Sequence, residues 1–496
     1  MARLGWGGTE RVIPVLPTHI AGLDEILGGG IPHRSTIILL GRSGAGKTIL
    51  TEQIAIQQAK AGKRVLVLTA LSESHEQLLT SLRQFSFFDE ALVGDRMRYL
   101  SIQTLLRDGL AATADSILEI VRAEDVSLVI LDGFRGVAGF ANSESEVRLF
   151  LYEVRTRLAL MEVTTLVTLE AMPGQESDSS ALTVADGIIK LHNSLWGVRH
   201  RRQIEIQKLR AMNHLDGLHT MTITGDGIIC YPRHEAVYRT VNYTVSRERA
   251  ALGLPELDAM LRGGLNRGTV TFFAGSPGVG KTLTALHYVM EGVAAGEPGL
   301  FICFNESEEQ LSLKAENFGL DLRGAVARGD VSLLCLAPVE LEVDMLAAML
   351  RNRVERLGIR RLVIDSIASV EGAILEPNRA PGFFASLVNY LRERNVTTIM
   401  TQESNVSGDG LGVSLGAILA DNLILLRSIE YRDHLYRVIS VLKMRQSGFD
   451  HGLREFRIED GTIRVVPVEE SGIVVMDGLT AREQRTMRRT QPDGDA

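Results

Sequence analysis

The chain has 496 residues, which is too long for one hydrophobic core, so we expect two or three domains. An apolar content of 45% and a charged content of 23% are typical of a globular protein, and no apolar run approaches the roughly 20 residues of a membrane span. The net charge of −8 argues against a generic nucleic-acid binder, which would need clustered basic residues.

The cysteines and histidines give no metal or redox pattern. Cys230, Cys303 and Cys335 form neither a C-x-x-C pair nor a metal-ligand spacing, so we predict reduced core residues of a cytoplasmic protein. The N-terminal residues lack the charged region and apolar core of a secretory signal. The 11 histidines are scattered and indicate no catalytic triad.

The first strong motif is a phosphate-binding loop. An apolar run, Thr36–Leu40, precedes a G-x-x-x-x-G-K-T segment that opens a helix-compatible stretch: Gly41-Arg42-Ser43-Gly44-Ala45-Gly46-Lys47-Thr48. Its glycines allow backbone N–H groups to converge on a phosphate at a helix N-terminus. Lys47 would reach the β and γ phosphates, and the Thr48 hydroxyl would bind Mg²⁺. The segment predicts a nucleoside triphosphate site with Mg²⁺.

Further apolar runs alternate with helical segments along the first half of the chain. They are Val65–Leu68, Leu128–Leu131 and Thr165–Leu169. Such alternation predicts a mainly parallel sheet covered by helices on both faces, with the nucleotide at the carboxyl ends of its strands. An antiparallel-looking region, Arg202–Ile229, follows. Asp132 directly after the third run is typical of a Walker B strand and would hold Mg²⁺; the alternative is a helix cap.

The first half contains two further candidates, one acidic residue and one basic pair. Glu73, after the second run, could polarise the attacking water, although acidic residues also favour the first turn of a helix. Lys208 and Arg210 form a K-x-R pattern in a strand-like run, where residues two apart point to the same side. They are a candidate finger that reaches the nucleotide of a neighbouring subunit; the alternative is a solvated basic edge.

The same pattern recurs in the second half at an offset close to 234, the separation of Lys47 and Lys281. The second loop is Gly275-Ser276-Pro277-Gly278-Val279-Gly280-Lys281-Thr282, with the matching runs Val270–Ala274, Leu300–Phe304, Leu362–Ile364 and Thr397–Met400, and a region Leu435–Val466 that again looks antiparallel. Asp365 matches Asp132, Glu306 matches Glu73, and Lys443 and Arg445 match the first K-x-R pair. This recurrence makes the probability negligible that a glycine-rich turn matches the motif by chance, and it indicates a duplicated domain.

The repeat defines the expected domain organisation. We predict a first domain over residues 1–246, a second over 247–472 and a flexible tail over 473–496. Both domains carry the same motif set, so both are expected to bind nucleotide.

With these motifs in place, the chain resembles the KaiC family, the double-domain RecA-like ATPases named for the cyanobacterial circadian-clock protein. The resemblance covers roughly residues 14–466. It is most specific at Lys443-Met444-Arg445-Gln446-Ser447 and at Leu453-Arg454-Glu455-Phe456, which are similar to the family's KMRxS and REF stretches. It implies two tandem α/β RecA-like P-loop domains, a homohexamer with ATP between subunits, slow ATP hydrolysis, and autokinase activity in the second domain of the clock protein itself.

The sequence departs from the family pattern at two places. The first of two paired glutamates is replaced by Ser72 and by Asn305, which leaves Glu73 and Glu306 as the candidate bases. The family's phosphoacceptor pair falls on Ala417 and Ile418, which have no hydroxyl, and Ser414 is a weak substitute.

Two functions from different classes follow from this pattern. The favoured one is an ATP-hydrolysing hexamer whose nucleotide state signals to regulatory protein partners. The alternative is a scaffold that assembles on ATP and scarcely turns it over. A recombinase-like DNA motor is disfavoured because the chain is acidic.

Overall fold

The computed structural model describes residues 13–70, 75–171, 180–238, 243, 246–339, 341–403, 419–431, 434–459 and 461–468. The chain divides into two compact units, Met1–Val237 and Tyr238–Ala496, which we call the first and second units. The domain boundary near Ser246 stays a prediction, and the tail predicted over residues 473–496 lies outside the described residues.

The first unit is built around one large mixed sheet. Its strands are β1 (Val15–Leu16), β2 (Ile31–Pro32), β3 (Thr36–Gly41), β4 (Val65–Thr69), β5 (Met97–Ser101), β6 (Leu128–Asp132), β7 (Thr164–Glu170), β8 (Gly187–Trp196), β9 (Arg199–Leu209), β10 (His219–Thr224) and β11 (Gly227–Tyr231). Nine of them form a sheet in the order β11-β10-β9-β8-β3-β7-β6-β4-β5, and β1 pairs with β2. The six strands from β8 to β5 are parallel, and β9 to β11 continue the sheet antiparallel.

Helices cover this sheet. They are α1 (Leu23–Ile26), α2 (Lys47–Lys60), α3 (His75–Leu82), α4 (Ile102–Leu105), α5 (Leu110–Glu124), α6 (Arg135–Ala138), α7 (Glu144–Leu160), α8 (Ser180–Val184) and α9 (His234–Val237), with 3₁₀ turns at Glu90–Leu92 and Leu106–Asp108.

The second unit repeats this architecture. Its strands are β12 (Arg249–Ala250), β13 (Leu265–Asn266), β14 (Val270–Gly275), β15 (Gly299–Cys303), β16 (Val331–Cys335), β17 (Arg361–Asp365), β18 (Thr397–Glu403), β19 (Asn422–Tyr431), β20 (His434–Met444), β21 (Arg454–Glu459) and β22 (Thr462–Pro467). The sheet order is β16-β15-β17-β18-β14-β19-β20-β21-β22, which is the first order read in the other direction. Its helices are α10 (Pro255–Met260), α11 (Lys281–Ala294), α12 (Glu308–Glu316), α13 (Leu322–Arg328), α14 (Val343–Leu357), α15 (Ile367–Gly372) and α16 (Ala380–Glu393), with a 3₁₀ turn at Pro377–Arg379.

Each sheet separates two hydrophobic clusters. On β3, Ile37 and Leu39 point into one cluster with α2, while Ile38 and Leu40 point into the other with α5 and α7. Side chains alternate between the faces of a strand, so a strand buried on both faces must be apolar throughout. The second unit has the same two clusters. The predicted fold of two tandem RecA-like α/β domains is therefore confirmed.

The eight apolar runs all became strands, and the two antiparallel regions are confirmed as well. The sequence reading missed the edge strands β5 and β16, whose residues are less uniformly apolar because an edge strand is less buried. Within the described residues, the helices are too short or too polar to cross a membrane.

Candidate functional site

The first phosphate-binding loop connects β3 to α2. Gly46 caps the helix with a φ of 100°, and a β-carbon on it would lie 2.9 Å from Ile223 Cδ1, so this position requires glycine. The Lys47 ammonium donates hydrogen bonds to the loop's own carbonyls, to Gly41 O at 2.8 Å and Arg42 O at 2.9 Å. The lysine thus closes the loop into a ring of backbone groups at the start of a helix, where an anion is favoured.

The second loop repeats this geometry between β14 and α11. Gly280 has a φ of 108°, and a β-carbon there would lie 2.8 Å from Ile458 Cδ1. Lys281 Nζ donates to Gly275 O and Ser276 O, both at 2.8 Å. Two loops with the same closing hydrogen bonds indicate two sites of the same kind.

The loop lysines lie in electrostatic environments that suit a bound phosphate. Burial lowers the pKa of Lys47, and the carboxylates of Glu170 and Asp132 oppose that shift. Burial likewise lowers the pKa of Lys281, against Glu403 and Asp365. A buried ammonium is costly unless it is compensated, so an anion at the loop would stabilise its charged form.

The two aspartates meet the loop threonines. In the first unit, Thr48 Oγ1 donates to Asp132 Oδ2 at 3.0 Å. In the second, Thr282 Oγ1 donates to Asp365 Oδ2 at 2.6 Å. A hydroxyl and a carboxylate at a phosphate loop are the protein ligands expected for Mg²⁺, which keeps waters and phosphate oxygens in its remaining positions. These oxygens fit the ion, and Thr48, Asp132, Thr282 and Asp365 would hold it.

The structure describes only one of the two candidate bases. Glu73 lies outside the described residues. Glu306 follows β15 and precedes the N-cap Ser307 of α12, so the alternative that it belongs to the first helical turn is wrong. Its Oε1 accepts a hydrogen bond from Lys314 Nζ at 2.6 Å. Its Oε2 is buried and has no hydrogen-bond partner among the described residues.

The K-x-R pairs lie away from their own loops. Lys208 pairs across the sheet with Ile188, which pairs with Ile38, three residues before the end of β3. That places Lys208 about 10 Å back along the strands at ~3.3 Å per residue. Its Nζ donates to Ala185 O at 2.6 Å, which is farther still from the loop.

The expected same-face arrangement of each pair holds only in part. Arg210 lies one residue beyond the end of β9, so only Lys208 is on the strand. The two cations are still close: burial lowers the pKa of Lys208, and the charge of Arg210 lowers it further. The second pair behaves alike, with Lys443 Nζ donating to Ala420 O at 2.6 Å and Arg445 lowering the Lys443 pKa after burial.

Comparison with known proteins now decides the family. The family model described as "ATPase: KaiC" matches residues 16–235 and again residues 250–470. The chain belongs to the KaiC ATPase family.

Curated relatives match this chain over most of their length and at the same level of identity. The chain is similar to the circadian clock oscillator protein KaiC of Picosynechococcus sp., with 27% identity over 92% of this chain and 90% of the relative. KaiC of Rippkaea orientalis is 27% identical over 91% of this chain and 88% of its own length. KaiC 1 of Synechocystis sp. is 27% identical over 90% and 88%. The resemblance inferred from the motifs is confirmed.

Within this KaiC-type chain, the structure adds site residues that the sequence reading missed. Glu170 and Glu403 end β7 and β18 and pair in register with Gly41 and Gly275, the first residues of the two loops. A signal was present in the first half, because Glu170 directly follows the run Thr165–Leu169, as Asp132 follows its own run, whereas Glu403 comes three residues after Met400. They act electrostatically on the loop lysines.

Two threonines were missed as well, and they orient the aspartates. Thr168 Oγ1 donates to Asp132 Oδ1 at 2.5 Å and accepts from Gly133 N at 2.7 Å. Thr401 Oγ1 donates to Asp365 Oδ1. Groups that hold a metal ligand in place raise metal affinity without touching the metal.

We therefore expect Thr168→Val to weaken the first Mg²⁺ site. The Mg²⁺ concentration for half-maximal ATP binding should rise by roughly tenfold, since Asp132 loses the hydroxyl that orients it. The measurement is an ATP-binding titration against Mg²⁺ in a Lys281→Ala background, which reports the first site alone.

The matched control is Thr156→Val on α7, because the Thr156 hydroxyl donates only to Tyr152 O of the same helix. Equal Mg²⁺ dependence of the Thr168 and Thr156 variants would contradict the positioning role.

Proposed function

We propose that the protein is a KaiC-like, slowly ATP-hydrolysing homohexamer that binds ATP and Mg²⁺ between subunits and signals its nucleotide state to regulatory protein partners. The observation that carries the proposal is the repeated contact of a loop threonine with a Walker aspartate beside a closed phosphate loop. Both units contain it, so both are proposed to bind nucleotide.

The position of the K-x-R pairs supports nucleotide binding between subunits. Phosphoryl transfer needs cations around the γ-phosphate, and the loop lysine supplies one. Lys443 pairs with Leu423, which pairs with Phe272, three residues before Gly275 at the end of β14. Its ammonium is directed toward Ala420, away from the loop. A finger built from Lys443 and Arg445, or from Lys208 and Arg210, would therefore serve the nucleotide of a neighbouring subunit.

Phosphorylation of the chain is a lesser part of the proposal. The acceptor positions Ala417 and Ile418, and the nearby Ser414, lie outside the described residues. Since Ala417 and Ile418 have no hydroxyl, a residual Ser/Thr autokinase activity would require a different acceptor.

A second candidate function is an ATP-assembled scaffold with negligible turnover. One observation favours it: Lys314 Nζ lies 2.6 Å from Glu306 Oε1, so this oxygen is already engaged and is not open to an attacking water. The replacement of the first paired glutamates by Ser72 and Asn305 points the same way.

The first test replaces each loop lysine. Lys47→Ala and Lys281→Ala should each lower ATP turnover at the altered site by roughly 100-fold, because a phosphate-binding cation is lost. Steady-state hydrolysis is measured for both variants, with the mass of the assembly determined in the same samples. A hexamer that forms on ATP but shows no turnover in the unaltered protein would contradict the ATPase and favour the scaffold.

The role of Glu306 gives a second test. In a Lys47→Ala background, Glu306→Gln should lower turnover by roughly 100-fold, because an amide cannot take the proton of the attacking water. Glu309→Gln is the control, since Glu309 is exposed in the first turn of α12. Turnover unchanged by Glu306→Gln would reject this carboxylate as the base.

Mixing two variants tests the finger in trans. One carries Lys281→Ala and keeps its K-x-R pair; the other carries Lys443→Ala with Arg445→Ala and keeps its loop. When they are mixed before assembly, roughly a quarter of the head-to-tail interfaces combine an intact loop with an intact pair. Turnover of the mixture should exceed the mean of the separate variants. Turnover equal to that mean would show that the pair does not act across subunits.

A further inference from the structure

Two cysteines meet at the edge of the second site. Cys303 is the last residue of β15 and Cys335 the last residue of β16, and the parallel register places them directly opposite each other. Their sulfur atoms are 2.8 Å apart. In the sequence they are 32 positions apart, so only strand pairing brings them together.

The geometry suits a disulfide. Neighbouring strands lie about 4.8 Å apart, which falls within the Cα separation of roughly 4.4–6.8 Å that a disulfide spans. Both side chains leave the sheet on the same face because they are paired in register. Cys303 is buried, while Cys335 is partly exposed and offers a small oxidant access to the pair.

The cysteine pair contacts residues 304–311, which follow β15 and which we call the Glu306 segment. Cys303 Sγ donates a hydrogen bond to the Glu306 carbonyl at 3.4 Å. On its other side, β15 pairs with β17, and Cys303 is opposite Asp365. A covalent change at Cys303 therefore occurs between a candidate Mg²⁺ ligand and a candidate base.

The first unit lacks this pair. The equivalent strand ends carry Thr69 and Ser101, which are opposite each other in the same register, with Thr69 opposite Asp132. Hydroxyls cannot be oxidised to a cross-link. Any thiol chemistry at this place is consequently confined to the second unit.

We propose that Cys303 and Cys335 form an oxidisable dithiol, and that its disulfide displaces the Glu306 segment and slows the second site. The link to turnover rests on the ATPase function proposed above.

The oxidant is a peroxide. The Cys335 thiolate attacks one peroxide oxygen, the O–O bond breaks, and a sulfenic acid and water result. The Cys303 sulfur then attacks the sulfenic sulfur and releases a second water. The two thiols lose two electrons and two protons, and hydrogen peroxide is reduced to two molecules of water. The disulfide has no S–H proton, so the hydrogen bond from Cys303 to the Glu306 carbonyl is lost.

The thiols are expected to react slowly. Burial raises the pKa of Cys303, and the neighbouring thiol and the carboxylates of Asp365 and Glu306 raise it further. Burial also raises the pKa of Cys335; the hydrogen bond with Cys303 opposes this shift, and Glu308 and Glu306 add to it. The thiolate is the nucleophile, so the raised pKa of Cys335 slows the first step of the oxidation.

The test uses the full chain with Lys47→Ala, so that turnover reports the second site. The protein is treated with hydrogen peroxide, the peroxide is removed with catalase, and peptides are mapped without reduction. We expect a linked peptide joining Cys303 to Cys335, faster amide hydrogen exchange over residues 304–311, and turnover lower by roughly tenfold, as for a misplaced general base. Dithiothreitol should reverse all three changes.

Cys335→Ser is the matched variant, because it places at β16 the hydroxyl that β5 carries at Ser101. It should keep its turnover and exchange pattern under peroxide, whereas Cys230→Ser, at a buried site elsewhere, should respond like the parent. Absence of the linked peptide would overturn the proposal, as would a linked peptide with unchanged exchange. If the reduced protein hydrolyses no ATP, the proposed function fails, and the linked peptide and the exchange pattern still decide the dithiol.

Discussion

The contact on which both sites depend is the hydrogen bond from the loop threonine to the Walker aspartate. It joins the first turn of a helix to the end of a strand that is not its sequence neighbour, Thr48 to Asp132 and Thr282 to Asp365. The contact forms because the parallel strands all end at the same edge of the sheet, which brings together side chains that are more than 80 residues apart. Thr168 and Thr401, from the adjacent strands, then fix the second carboxylate oxygen.

The two units share this threonine–aspartate contact but differ in the buried residues of the helix that follows the loop. In the first, the buried Glu52 on α2 accepts a hydrogen bond from Tyr99 at 2.7 Å, and burial raises its pKa to about 8. The residue 234 positions later is Leu286, which is fully buried among apolar neighbours. Polar groups are costly in a core unless they are satisfied, so a carboxyl kept there in one unit only is a real chemical difference between the two P-loop helices. Together with the Cys303–Cys335 pair, whose place in the first unit is taken by Thr69 and Ser101, it gives the two sites different chemical environments around the same threonine–aspartate contact.

The sequence predicted the fold and most of the site because each depends on a local pattern. A strand buried on both faces reads as a continuous apolar run, and a phosphate loop needs glycines at fixed spacing; both patterns survive in a single chain. The edge strands β5 and β16 were missed because partial exposure removes that pattern. Thr168, Thr401 and the dithiol were missed for a different reason, since their significance comes from a neighbour on another strand. Register between strands is a tertiary property that spacing along the chain does not encode.

The K-x-R pairs could be recognised from the sequence, but the nucleotide that they would reach could not. Recurrence at the repeat offset marked Lys208 and Lys443 as more than a basic edge, yet their role depends on where the strand carrying them ends. Both ammonium groups are hydrogen-bonded to carbonyls at the amino end of the parallel strands, opposite to the loops. These two ammonium groups therefore point away from the phosphate-binding loop of their own unit. Head-to-tail association of identical chains would place the two ends together, which is why the function proposed above sets the nucleotide between subunits.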